Sequence, residues 1–222
     1  MHERSQWWLV LALGGVLLGC AGRRWAPFEV SETVQRIELV ADRGSLTVVG
    51  GPAGSPVRVA RNVRAFPATR EMHDEVSGGV LRIEVRCGGA PGCRVDQELR
   101  VPPGVAVVLT LGDGDVELQD VAGSLDISVA LGKVSGSGLT GEVVDVHTEG
   151  GPIDLAFAAA PQRLLANAAA GDVALRVPAG RYRCDVDPAL LAAVEVTCDP
   201  AASASIAAST GVGRLRIRSS GR

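Results

Sequence analysis

One short unit, a glycine followed by an alternating apolar strand, recurs along this chain and constrains its fold more than any other feature. It reads GDVEL at Gly114, GPIDL at Gly151, GDVAL at Gly171 and GRLRI at Gly213, with weaker copies GSLTV at Gly44 and GKVSG at Gly132. Between Gly114 and Gly171 the starts lie 18, 19 and 20 residues apart; the gap from Gly171 to Gly213 is 42, read as two such steps. A second apolar run separates the copies, as in SLDISVAL and EVVDVHT. Runs of four to seven residues alternating at period two, bounded by Gly, Pro, Asp or Ser, are strand signals. No segment carries a helical period; PALLAA, between Asp187 and Val194, could coil for two turns at most. Short strands repeating every 19–21 residues predict an all-β fold, a β-solenoid whose coils stack strand on strand around small apolar side chains. The 28 glycines and the 3% aromatic content suit many turns and a narrow interior. For residues 28 to 110 a β-sandwich is the alternative.

LGDGDVELQD, from Leu111 to Asp120, is the most acidic stretch of the repeat, with Asp113, Asp115, Glu117 and Asp120 close together. Gly112 and Gly114 permit the left-handed backbone of a tight corner, and Asp tolerates such turns. Glu117 alternates with Val116 and Leu118, so it points to solvent. Its counterparts in the other copies are Asp154, Ala174 and Arg216. A ligand set does not drift from acid to alanine to arginine, so the cluster reads as a solvated corner.

The chain opens MHERSQWWLVLALGGVLLGC, an apolar run from Trp7 to Leu18 that is too short to span a bilayer and fits a signal peptide. Its end, LLGC, resembles a bacterial lipobox. That resemblance implies a signal peptide over residues 1–19 and cleavage before Cys20. It also implies acyl chains on the Cys20 sulfur and amine, which anchor stably where a single chain does not. An ordinary signal peptide with an incidental cysteine is the alternative. Ala21 rather than Asp after the cysteine favours the outer membrane. Residues 20–27 then form a lipidated start and linker, 28–218 the body, and 219–222 a tail.

Export places Cys87, Cys93, Cys184 and Cys198 in an oxidising compartment, where an even number reads as disulfides. Leu81, Ile83, Val85 and Cys87 share one strand parity, and so do Cys93, Val95, Leu99 and Val101 beyond the GGAPG turn. Tyr182, Cys184 and Val186 share a face, as do Val194, Val196 and Cys198. Local pairing, 87–93 and 184–198, is expected. A zinc site is the alternative, but there is no C-x₂-C spacing. With its last coil uncovered, the chain is expected to fray from the C-terminus.

GSLTVVGG, VRVARNV, GGVLRIEV and LRVPPGVAVVLTLGDGDVELQDVAGSLDISVALGKV are similar to the bacterial adhesin-like β-solenoid domains, the toastrack-type modules of the cell envelope. The resemblance runs over about residues 28 to 218. It implies an envelope β-solenoid without a catalytic constellation. Two features depart from it: the cysteine pairs, and GKVSGSGLTG, whose strand phase is lost.

Other chemistry finds little support. The net charge of −3 gives no attraction to nucleic acid, so none is expected as a partner. Asp113, Asp115, Asp126 and Lys133 could furnish a carbohydrate-active β-helix enzyme, but nothing sets two carboxylates at an acid/base separation. GDGDVELQD echoes a calcium-binding nonapeptide without its nine-residue period. His73 and His147 are the histidines of the mature chain, and neither accompanies a G-x-S-x-G elbow. No phosphate-loop Lys-Ser/Thr follows the glycine-rich stretches, so no cofactor is expected. Trp25 and Phe28 could touch a partner, or Trp25 could sit at the membrane interface or cap the first coil. The reading is a lipid-anchored structural or binding module of the envelope, not an enzyme. Its partners are the membrane, through the anchor, and an envelope protein or glycan.

Overall fold

The corner glycine and the strand after it recur in space as they do in sequence. The computed structural model describes residues 23–64, 70–88, 92–186 and 192–220. The expected signal peptide, Cys20 and most of PALLAA lie outside them. Among the described residues there are twenty strands and no helix, arranged in two ten-stranded sheets.

Sheet A runs, in spatial order, β1 (Arg23–Val30), β4 (Val57–Arg64), β7 (Arg94–Val101), β3 (Leu46–Gly50), β9 (Val116–Gln119), β11 (Val134–Leu139), β13 (Ile153–Phe157), β15 (Val173–Pro178), β20 (Leu215–Ser220) and β17 (Ala192–Glu195). Sheet B runs β18 (Thr197–Cys198), β16 (Arg181–Val186), β19 (Ser205–Val212), β14 (Arg163–Ala170), β12 (Val143–Gly150), β10 (Leu125–Leu131), β8 (Ala106–Asp113), β2 (Arg36–Arg43), β6 (Val80–Arg86) and β5 (Glu71–Ser77). Pairing is parallel except at one end, where β1 on β4, β4 on β7 and β5 on β6 are antiparallel. The first hundred residues therefore form no separate sandwich; their strands belong to the same two sheets.

A sheet-B strand, a corner and a sheet-A strand make one rung. Inward residues stack in columns between the sheets. In sheet B one column is Leu81, Ile37, Val107, Leu125, Val144, Leu164 and Ile206. In sheet A another is Leu46, Val116, Val134, Ile153, Val173 and Leu215. All are at most 2% exposed and join one core cluster. Apolar side chains in register at the spacing of neighbouring strands bury one another continuously, which is why Val, Leu and Ile dominate.

The corners are fixed by a spine of glycines. Gly44, Gly114, Gly132, Gly151, Gly171 and Gly213 all have φ between 144° and 156°. From Gly114 on, a Cβ on each would lie 1.9–2.3 Å from the carbonyl oxygen of the glycine one rung below, so only glycine fits. Gly112, by contrast, does not adopt a positive φ; a Cβ there would meet the Asp42 carbonyl oxygen at 2.5 Å.

Five expectations need correction. Gly213 stacks directly on Gly171, and β20 pairs with β15, so the 42-residue gap is one spatial step rather than two. The chain between them leaves to build the rung β16/β17 beyond and then returns. Fraying is therefore not expected at the C-terminal strands, which are covered on both sides. Residues 23–27, expected as linker, lie in β1, where a register shift between Trp25 and Phe28 accommodates Pro27 and hides the alternation. Ser219 and Ser220, expected as tail, pair with Val177 and Pro178. Finally, GKVSGSGL is a rung after all. Gly136 occupies the inward column, and a register shift with Gly138 at φ 66° swings Leu139 into the space that Gly136 leaves.

Both ends of the stack are built out of chain order, and each is closed by a disulfide. The rung β6/β7 lies outside β2/β3, and Cys87–Cys93 joins its two strands with Cα atoms 5.7 Å apart. At the other end Cys184–Cys198 ties β16 to β18, Cα atoms 5.5 Å apart. At the same end of the stack as the first disulfide, a buried cation crosses between the sheets. Arg61 on β4 donates to Gln97 Oε1 at 3.1 Å and to both oxygens of Asp74 on β5, and lies 5.4 Å from the Phe28 ring centroid.

Candidate functional site

The acidic corner has a structural task. Lys133 N–H donates to Asp115 Oδ1 at 2.8 Å, and Arg214 N–H donates to Asp172 Oδ1 at 2.9 Å. Ser45 N–H donates to Asp96 Oδ1 in the same way at 2.9 Å. Each aspartate thus bonds to the backbone just past the corner glycine of the next rung. Burial pushes Asp96 up, but the Ser45 N–H and hydroxyl and the Arg94 guanidinium outweigh it and hold the carboxyl below its ordinary value. Asp113 is exposed at the end of β8, and Asp120 sits at φ 53° in the opposite corner. Glu117 faces solvent and accepts from Gln119 Nε2 at 2.8 Å. Its row runs Ser135, Asp154, Ala174, Arg216 in register, matching the alignment of the sequence repeats.

Asp126 does not join Asp113, Asp115 and Lys133. Five residues of β10 separate it from Leu131, the register partner of Asp113, so it lies roughly 17 Å along the sheet from that corner. The set weighed for catalysis is split. His73 is exposed on the edge strand β5, 3.7 Å from Glu75.

The richest chemistry lies instead on the outer face of sheet B. Asp126 on β10 and Asp145 on β12 are direct register partners. They line an open groove with Arg36, Ser124, Val143 and Arg163. Arg163 also borders a second groove with Leu165, Arg183 and Asp185, so the two are continuous along the strand starts. Partial burial, then the neighbouring Asp126 charge, raises Asp145 above the ordinary carboxyl value, against the pull of Arg163 and His147. Two residues further along, Thr110, Ser128, His147, Asn167 and Ser209 fall in one register row across five consecutive parallel strands. All five point outward, at strand spacings of about 4.8 Å. Asp145, Arg163 and the row were not singled out in the sequence as a site. The signal available was the outward parity of these positions beside the inward columns. Among the described residues no three His, Cys, Asp or Glu side chains gather as a metal site would require.

Among the described residues, an all-β stack of parallel rungs with a polar outer face defines a repeat-built fold. No protein-family model matches the chain, and no curated protein does. A solved structure of a "putative cell adhesion protein" from Clostridium sporogenes is similar at 15% identity, with a TM-score of 0.53 over 90% of this chain and 100% of that one. At that identity the likeness shows an adhesin-like fold.

Proposed function

We propose that the chain is an exported β-solenoid, tethered through an acylated Cys20 to the outer membrane, that serves the cell envelope as an adhesin-like binding or structural module. The observation that carries this reading is the outer row Thr110, Ser128, His147, Asn167 and Ser209. Hydrogen-bonding side chains repeated at strand spacing on one sheet face suit a glycan or an extended segment of an envelope protein, whose groups also repeat at fixed intervals. The Asp126–Asp145 pair and the Arg163 side chain beside it add charge at one margin. The fold of the Clostridium sporogenes protein supports the same reading.

Binding of envelope glycans and proteins to the lipid-free body tests it, with Ser128→Ala/His147→Ala/Asn167→Ala beside the parent. Capture that weakens at least tenfold in the triple variant, with an unchanged melting temperature, is the expected result. Equal capture by both would move the binding surface elsewhere. The register of Asp126 and Asp145 favours one second reading, a carbohydrate-active enzyme, because strands about 4.8 Å apart set two acidic residues side by side, as a retaining pair needs. Release of reducing ends from envelope polysaccharide that stops in Asp145→Asn would establish it.

A further inference from the structure

The two most exposed large apolar side chains among the described residues are Val212, 73% exposed, and Leu131, 59% exposed. Both stand on the ridge beside the glycine spine. The register row there reads Arg43, Asp113, Leu131, Gly150, Ala170, Val212, one residue from each successive strand of sheet B. Leu131 leans over Gly150, where a Cβ would lie 2.9 Å from its Cδ2. Three strand steps, roughly 14 Å, separate Leu131 from Val212. Each is followed across its corner glycine by an exposed cation, in Leu131-Gly132-Lys133 and Val212-Gly213-Arg214. Neither cation has an ion pair among the described residues. The other corners carry no such couple of apolar and basic residues.

The chain's N-terminal exit lies on the same ridge. Arg23 pairs with Val63, Val63 pairs with Val95, and the Val95 carbonyl is the group that a Cβ on Gly44 would strike. Only residues 21 and 22 separate Cys20 from the first residue of β1. Three Cα steps reach about 10 Å at most, a few ångströms beyond a headgroup layer of about 5–8 Å. A body acylated at Cys20 is held against the bilayer, and the ridge is the side from which its tether leaves.

We infer that the glycine-spine ridge is a membrane-docking surface: the stack lies along the bilayer with Leu131 and Val212 in the headgroup–acyl boundary and Lys133 and Arg214 on lipid phosphates. An apolar side chain next to a cation is the pairing such an interface takes up. This rests on the anchor proposed above. It leaves the outer faces of both sheets free at the sides of the stack.

The test uses the mature protein, acylated at Cys20 and so without residues 1–19 and their two tryptophans, in vesicles of phosphatidylethanolamine and phosphatidylglycerol with brominated acyl chains. In a Trp25→Phe background, single tryptophans are placed by Leu131→Trp, by Val212→Trp and, on the opposite ridge, by Gln162→Trp. Intact mass and flotation report the anchor independently of fluorescence. Blue-shifted emission and bromine quenching at 131 and 212, without quenching at 162, is the expected result. Flotation without quenching at 131 and 212, or with equal quenching at 162, would overturn the ridge while sparing the anchor. Loss of both acyl mass and flotation would overturn the anchor, and the docking with it.

Discussion

The glycine spine makes a quantitative prediction. In Gly132→Ala the new Cβ would lie 2.0 Å from the Gly114 carbonyl oxygen and 2.6 Å from its carbonyl carbon. Reaching an ordinary carbon–oxygen contact of about 3.3 Å requires the two rungs to part by more than 1 Å at that corner. Gly114 N–H bonds to the Leu131 carbonyl at 2.8 Å, and Val116 N–H bonds to the Lys133 carbonyl at 2.8 Å, on either side of it. Losing both costs about 2 kcal/mol. Holding alanine at a φ of 144° adds about 1–3 kcal/mol. The sum, about 4 kcal/mol, is a large part of the 5–15 kcal/mol that a typical fold commands.

Gly54→Ala is the control. Its φ is 76° and nothing stands within 4 Å of a Cβ there, so it carries the backbone strain alone, about 1 kcal/mol. Urea unfolding of the lipid-free body, followed by circular dichroism, reads both. A loss at Gly132 no larger than that at Gly54 would refute the view that carbonyl crowding selects glycine at the corners.

Other consequences follow from the two ends and the buried charges. Asp74→Ala strands the Arg61 guanidinium between the sheets and should cost about 3 kcal/mol, and Arg61→Leu/Asp74→Leu should recover most of it, read from denaturation midpoints. Cys198 is exposed whereas Cys87 and Cys93 are 1% and 3% exposed, so limited reduction with alkylation mapping should open 184–198 first. Cys184→Ala/Cys198→Ala should cost about 3 kcal/mol by the loop-entropy model and more than loss of the shorter 87–93 loop. Between the last two rungs, hydrogen exchange should then be faster at 181–186 and 192–198 than at 205–220. Asp96 is held below its ordinary value, so its contribution is present above about pH 4 and is lost as the pH falls through its folded value. Asp145 is raised, so its contribution is favourable in acid and lost as the pH rises through its folded value; Asp145→Asn should be the more stable protein at neutral pH. Melting temperatures of the parent, Asp96→Ala and Asp145→Asn across acid to neutral pH check both signs.

Much of the rung geometry was legible because corner and strand are local matters. A glycine that must admit a neighbouring carbonyl, followed by alternating Val and Leu, writes both into five residues. The outward row of Glu117, Asp154, Ala174 and Arg216 could be aligned by eye for the same reason. What escaped depends on which rung lies beside which. Nothing around Gly213 distinguishes one spatial step from two, because β20 would present the same alternation in either place. Arg61 and Gln97 sit at inward parity in VRVARNV and RVDQELR, and read as faults in the pattern until Asp74 is brought across the end of the core. The Asp126–Asp145 pair lies on two strands 19 residues apart, so only register brings it together.

The out-of-order ends explain how such a stack stops. A parallel stack leaves unpaired N–H and C=O groups at both ends, which could template further copies. Here β5 closes one edge of sheet B with Glu71, His73 and Glu75 exposed, and β1 closes sheet A with a bulge and Pro27. At the far end β18 is two residues long and is tied back to β16 by Cys184–Cys198. The regular rungs, which would make the best templates, are thereby kept inside, including the last strands of the chain. Growth along the stack is discouraged at both ends, which leaves the lateral surfaces for the binding proposed above. There the outward positions are free to vary, because the inward columns and the glycine spine already hold the fold.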